Sequence, residues 1–124
     1  MEADTRRHLG QLGEQLACEH LERRGFDIVE RNYRTRWGEL DIIAYDGQSL
    51  IFCEVKTRRL PCAGVSPLDA VHRPKQVQLR KMAGRWLIER RSRPYASELR
   101  FDAIGVTLDG SGRLLGIEHL EHAF

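Results

Sequence analysis

At 124 residues, with 41% hydrophobic and 31% charged side chains, the chain is long enough for one core and too short for two, so a single domain over 1–124 is expected and disorder is excluded. No run approaches the roughly 20 apolar residues of a membrane span, and the opening MEADTRRHLGQLGEQ lacks the apolar block of a secretion signal, so a cytoplasmic location without a membrane partner is expected. The net charge of +2 does not by itself mark a nucleic-acid binder, and three cysteines (Cys18, Cys53, Cys62) without C-x-x-C spacing suggest reduced thiols, neither a disulfide framework nor a zinc site.

From Thr5 to Arg24, Leu9, Leu12, Leu16 and Leu21 recur at helical spacing among small Gly10, Gly13 and Ala17, with Thr5 a candidate N-cap and Gly25 a candidate stop. FDIVERNYR, ELDIIAYDG and SLIFCEVKT then read as three strands, the second and third joined by a tight Asp46-Gly47 turn. Leu60 to Pro74 carries three prolines, a glycine and a serine, which is loop chemistry, and Pro74 suits the first turn of a helix. Lys75, Leu79, Met82 and Trp86 follow at i, i+4, i+7 and i+11, the stripe of a second amphipathic helix ending near Arg91 to Pro94. LRFDAIGVTLD and RLLGIEHL close the chain as two further strands around Gly110 and Gly112. The fold class expected from this order is α/β, a mixed central sheet of about five strands flanked by helices.

Basic residues gather in three stretches: Arg23 to Arg36, Lys56 to Arg59, and Arg73 to Arg93. Any one of these reads most simply as a solvated face. Three of them flanking one acidic motif point to a polyanionic partner.

On a strand, side chains two apart share a face, so Phe52, Glu54 and Lys56 point one way and Ile51, Cys53 and Val55 the other. In the preceding strand Glu39, Asp41 and Ile43 share one face, and Leu40, Ile42 and Ala44 the other, so hairpin pairing can set Asp41 beside Glu54. An exposed cross-strand ion pair would explain the same residues, but both strands are too apolar to be easily exposed. Charges inside such strands are expensive to bury and more often mark a site. Asp41 and Glu54 are hard oxygen ligands suited to Mg²⁺ or Mn²⁺, and the main-chain carbonyl of Val55 could supply another. A cation there can neutralise charge on a phosphoryl group and acidify a water, which phosphodiester hydrolysis requires, with Lys56 holding that water or the phosphate.

GELDIIAYDGQSLIFCEVKTR resembles the D-x(n)-E-x-K core of the PD-(D/E)XK (restriction-endonuclease-like) nuclease superfamily, specifically its Holliday-junction-resolvase-like branch. Together with GQLGEQLACEHLERRGFDIVERNYR upstream and PKQVQLRKMAGRWL and RFDAIGV downstream, nearly the whole chain resembles the YraN family of small bacterial proteins. The "PD" half is reduced to the Asp, since Leu40 precedes Asp41. The resemblance implies a restriction-endonuclease-like core, Asp41 and Glu54 as metal ligands, Lys56 as the catalytic lysine, and Glu14 as a further acidic residue reaching the site. By its own spacing Glu14 lies at the margin of the apolar stripe, where a helix-surface carboxylate is the plain alternative. Lys75 continues the stripe of Leu79, Met82 and Trp86 and so points toward the sheet. A snorkelling lysine explains that equally well, and the matching family position makes it a phosphate contact, with Gln76 a weaker candidate. Glu39, on the face of Asp41, is a secondary candidate for holding a water or a basic partner.

His119 and His122 lack the partners of a zinc set and suit a surface strand end, while His8, His20 and His72 are scattered and have no nucleophile beside them. Asp102 reads as a buried structural carboxylate pairing with Arg100 or a loop amide. Tyr33 and Trp37 read as packing residues before base-stacking ones.

The expected function is that of an Mg²⁺- or Mn²⁺-dependent endonuclease acting on DNA, with branched DNA among the candidate substrates and Arg34, Arg36, Arg58 and Arg59 touching the nucleic acid first. No helix-turn-helix, zinc finger or long basic helix is present, so selectivity is expected from shape and backbone. A homodimer would match two cuts to a two-fold substrate, and a directing protein partner is compatible. The alternatives are a non-catalytic nucleic-acid-binding or scaffolding protein on the same fold, and a nuclease acting on RNA.

Overall fold

A computed structural model describes residues 2–61 and 72–124, and the side chains from residue 5 onward. The expected loop over Leu60–Pro74 and the thiol of Cys62 therefore lie largely outside the described residues. The elements are α1 (Glu2–Arg23), β1 (Asp27–Thr35), β2 (Gly38–Tyr45), β3 (Ser49–Arg59), α2 (Arg73–Glu89), β4 (Glu98–Leu108) and β5 (Leu114–Leu120). They follow the order expected from sequence, except that α1 begins before Thr5, which is therefore not its cap.

The strands form one five-stranded mixed sheet in the order β1-β2-β3-β4-β5, an α/β fold. All neighbours are antiparallel except β3 and β4, which run parallel. A parallel pair cannot be joined by a hairpin, and α2 is the helix of the crossover between them. The two helices cover opposite faces. On the α1 face Ala17, Cys18 and Leu21 meet Ile42, Ala44, Ile51, Cys53, Ile104 and Val106. On the α2 face Leu79, Met82, Ala83 and Trp86 meet Leu40, Ile43, Leu50, Phe52 and Phe101. The near-continuous apolar run of β3 follows from its place at the centre, covered on both sides.

Helix α1 ends because Gly25 takes a positive φ of 88°, which lets its amide donate to Glu22 O and that of Phe26 to Leu21 O. Leu12 is 39% exposed and so departs from the expected stripe; its neighbour Gly13 is the buried contact. A Cβ at Gly13 would lie 1.8 Å from Thr57 Oγ1 and 2.8 Å from Thr57 Cβ, and a β-branched residue on a central strand has little room to retreat. Gly13→Ala should therefore push α1 off β3 and cost about 1–3 kcal/mol, more than any gain in helix propensity. Urea midpoints check this, with Gly10→Ala, whose added Cβ meets nothing within 4 Å, expected to be neutral or stabilising.

Strand alternation slips in β1 and β2 at one level. Arg31 and Asn32 both reach α1, through Gln15 and Glu14. Across from them Asp41 gathers with Glu14 while Ile42 packs in the α1-face core. Leu40 consequently lies on the α2 face, not with Ile42 and Ala44 as strict alternation would have it. Asn32 accommodates the slip with a φ of 54°, a left-handed conformation that Asn tolerates better than most residues.

On the far side of the sheet, Asp102 is fully buried and accepts from Arg100 Nε and Nη2 at 2.9 and 3.0 Å and from the His122 amide at 3.2 Å. His119 Nε2, 2.7 Å away, completes the shell as a donor. Burial alone would raise this carboxyl, but the bonds from His119 and Arg100 outweigh it and hold it below its ordinary value. The His119 side chain is 5% exposed and sits 3.2 Å from His20 Nε2, so it belongs to this buried network instead of a surface strand end.

Candidate active site

The cluster forms where β2 leaves β3. Their backbone pairing runs from Tyr45↔Leu50 to Ile42↔Cys53, and past it the Asp41 side chain takes over, with Oδ2 accepting the Val55 amide at 2.8 Å. The amide and carbonyl of one strand residue point the same way, so the Val55 carbonyl also faces this opening. Asp41 thus enters the site by replacing a strand partner at the level next to Ile42↔Cys53, and the charge of Glu54, expected alongside it from the hairpin, is the strongest acting on it.

Among the described residues, Glu14, Glu39 and Asp41 bring carboxylate oxygens within 4.8 Å of one another. Asn32 Nδ2 holds two of them, donating at 2.7 Å to Glu14 Oε1 and at 2.7 Å to Glu39 Oε1. Arg34 Nε donates to Glu39 Oε2 at 3.2 Å. The position of Glu14 depends on the Gly13–Thr57 contact one residue earlier, which seats α1 against β3.

Glu54 is 4% exposed. Its Oε1 faces Lys56 Nζ at 3.5 Å and Lys75 Nζ at 3.4 Å, longer than the 2.7–2.9 Å or so of a close charge-assisted bond. Its Oε2 is buried with no hydrogen-bond partner among the described residues. A buried, unsatisfied carboxylate oxygen costs stability and asks for an explanation, such as a ligand. Lys75 reaches this point from α2, whose Leu79, Met82 and Trp86 are buried on the same stripe.

The electrostatics agree with the geometry. Burial, followed by the charge of Glu54 and then those of Glu14 and Glu39, pushes Asp41 up to about 8, against the lowering effect of the Val55 amide. Negative charge is in excess here, and the lysines do not fully answer it. Such an arrangement can take up a proton or a hard cation.

The other expected residues are placed differently. Arg36 stacks on Trp37, 4.7 Å from the ring centroid, beside a concavity of about 370 Å³ that also includes Arg34, Arg85 and Glu89 but none of the clustered carboxylates. Arg58 Nε donates to Thr107 Oγ1 at 3.1 Å, on the β4 side of β3, and Arg59 is exposed at the end of β3. Gln76 lies in the first turn of α2, its amide bonded to His72 O. Tyr33 is buried, with its hydroxyl donating to Glu89, and Trp37 packs against the α2-face core, so both are packing residues. Sequence reasoning missed Asn32, for which the available signal was an amide residue interrupting a β-rich run.

The family model described as "Uncharacterised protein family UPF0102" matches residues 13–106, a span containing every clustered residue described above. A UPF0102 protein of Dictyoglomus thermophilum is 42% identical over 118 residues, 95% of this chain and 98% of that protein. One of Frankia casuarinae is 44% identical over 117 residues, covering 94% and 95%. Another, of Geobacter metallireducens, is 45% identical over 116 residues, covering 94% and 91%.

Proposed function

This chain belongs to the UPF0102 (YraN) family, and we propose that it is a divalent-metal-dependent endonuclease of the PD-(D/E)XK type, in the Holliday-junction-resolvase-like branch, acting on DNA. The observation that carries the proposal is the buried Oε2 of Glu54, without a described partner, in a carboxylate whose charge acts on Asp41 of the Glu14–Glu39–Asp41 cluster. A hard cation would answer both the orphaned carboxylate oxygen and the crowded negative charge, in place of the proton that Asp41 otherwise holds.

Asp41, Glu54 and the Val55 carbonyl are the ligand candidates, with Glu14 and Glu39 adding charge and Asn32 fixing their orientation. Mg²⁺ or Mn²⁺ bound by this set supplies charge neutralisation for a phosphoryl group and acidity for a water. Lys56 is 39% exposed, so its ammonium stands between Glu54 and solvent, where it can orient a nucleophile or a phosphate oxygen. Lys75, at 26%, offers a second cation to the same phosphate from α2. Arg34, bonded to Glu39, is a candidate nucleic-acid contact beside the carboxylates, and Arg36, Arg58, Arg59 and Gln76 are further candidates.

Because Asp41 is held protonated up to about pH 8, a cation entering the cluster must displace that proton. Mn²⁺ affinity is therefore expected to rise steeply between pH 6 and about 8 and to level off above, with proton release measurable by calorimetry in buffers of different ionisation enthalpy. Affinity independent of pH across this range would contradict the ligand role of Asp41.

The function is tested by cleavage of labelled linear, single-stranded, flapped and four-way-junction DNA, with matched RNA, in Mg²⁺, Mn²⁺ or EDTA. Metal-dependent cutting lost in Lys56→Ala is the expected result. Binding without cutting would favour a non-catalytic nucleic-acid-binding protein, and preferential cutting of RNA would reassign the substrate.

A further inference from the structure

Beside the carboxylates, α1 and the β1–β2 hairpin enclose an open groove of about 310 Å³ whose lining includes Arg6, Arg7, Gln11 and Arg34 together with Glu14 and Glu39. One end is acidic and the rest is basic. Arg6, Gly10 and Glu14 follow one another at i, i+4 and i+8 along one row of α1, so the basic end lies about 12 Å from the carboxylates at 1.5 Å per residue. That is three to four nucleotide steps of a strand at about 3.4 Å each.

Two features of this row have no structural explanation. Arg6 and Arg7 are exposed, and neither is ion-paired or hydrogen-bonded to another described side chain, although carboxylates line the same groove. Gly10 sits mid-helix at a cost of about 1 kcal/mol in propensity, yet a Cβ there would meet nothing within 4 Å. Gly13, by contrast, is required by Thr57. What Gly10 leaves is bare backbone between the arginines and the carboxylates, space for a chain to pass close to the helix.

We propose that this groove is the track of the nucleic-acid strand, with Arg6, Arg7 and Arg34 contacting the phosphates that follow the one presented to the carboxylates. It rests on the nuclease reading above and adds the path of the substrate. Arg6 and Arg7 touch phosphates and no base edge, so they contribute affinity without sequence preference.

The experiment measures the salt dependence of binding to a 30-nucleotide single strand and to its duplex in EDTA, alongside Mn²⁺ affinity and Mg²⁺-dependent cleavage. It compares wild type with Arg6→Ala/Arg7→Ala, with Gly10→Leu, and with the control Arg91→Ala/Arg93→Ala, whose residues line a separate groove beside Tyr95. Loss of two phosphate contacts is expected to flatten the log–log salt slope by about 1.4 on the single strand and about 1.8 on the duplex. Gly10→Leu should weaken binding at least about tenfold by obstruction, and the control pair should change the slope least. Mn²⁺ affinity should stay at the wild-type value in all three variants, because none removes a carboxylate. If the wild type binds and cuts but Arg6→Ala/Arg7→Ala keeps its slope, or Gly10→Leu binds normally, the track is wrong and the nuclease reading stands. If the wild type neither binds nor cuts, both fall.

Discussion

Glu54→Gln is expected to lower Mg²⁺-dependent cleavage at least about 100-fold, the scale of losing one charge-stabilising group, while leaving the metal-free protein as stable as wild type or slightly more so. Gln keeps the volume of Glu and removes a charge whose Oε2 has no described partner. Lys56 and Lys75, 39% and 26% exposed, can turn to water once their carboxylate is gone, so no buried cation is stranded. A purely structural ion pair would behave in the opposite way, with stability falling by about 3–5 kcal/mol on loss of one partner. Cleavage rates and thermal melts of the same preparation separate the two. Asp41→Asn should share the signature. Since its folded value lies at about 8, above that of the unfolded chain, ionisation of Asp41 makes wild-type stability fall as pH rises from about 4 to 8. The Asn variant should lack that decline.

Asp102→Ala is the reverse case, with an expected loss of about 3–5 kcal/mol, or very roughly 10–20 °C in Tm. Asp102 is buried like Glu54, but both of its oxygens are hydrogen-bonded by the Arg100 fork, His119 and the His122 amide. Truncation leaves Arg100, itself 7% exposed, with only its longer contacts to Asp46 at 3.6 Å and Glu121 at 3.9 Å, and leaves the His122 amide without its acceptor. The His119 and Arg100 bonds hold the folded value of Asp102 below the unfolded one, so its contribution is present above about pH 4 and is lost as pH falls through the folded value. The gap between variant and wild type should accordingly close in acid. A loss under about 1 kcal/mol at pH 7 would contradict this assignment. The contrast shows how a structural carboxylate and a functional one differ: one is saturated with donors, the other is left wanting.

Much of this was legible in the residues. Period-2 alternation put Glu54 and Lys56 on one face, and the stripe Lys75–Leu79–Met82–Trp86 aimed Lys75 at the sheet, because both inferences rest on one element's geometry alone. The turn at Asp46-Gly47 was legible for the same local reason, but it is longer than the two residues expected: Asp46 Oδ1 accepts the Gln48 and Ser49 amides and Tyr45 pairs with Leu50. What alternation missed lies where elements meet. Leu40 changes face at the level where Asn32 turns left-handed in the neighbouring strand, and Glu14 joins Glu39 and Asp41, which alternation had already put on one face, where Asn32 bonds both glutamates. The seating of α1, which brings up Glu14 and lays Arg6 and Arg7 along the groove, turns on Gly13 meeting Thr57 more than forty residues later. His119 was misread for the same reason, as its partners Asp102, His20 and Arg24 come from two other elements and a helix end. Such contacts are set by docking and leave only faint marks in sequence, such as a glycine mid-helix or an asparagine mid-strand.

The central claim, that these carboxylates hold a divalent cation, is tested most directly by titrating Mn²⁺ into the metal-free protein at pH 8 and following the loss of the free-ion electron paramagnetic resonance signal, for wild type and for Asp41→Asn. Saturable binding by wild type, weakened at least about tenfold in Asp41→Asn, is the expected result. No saturable binding at millimolar Mn²⁺, or equal binding by the two proteins, would contradict it.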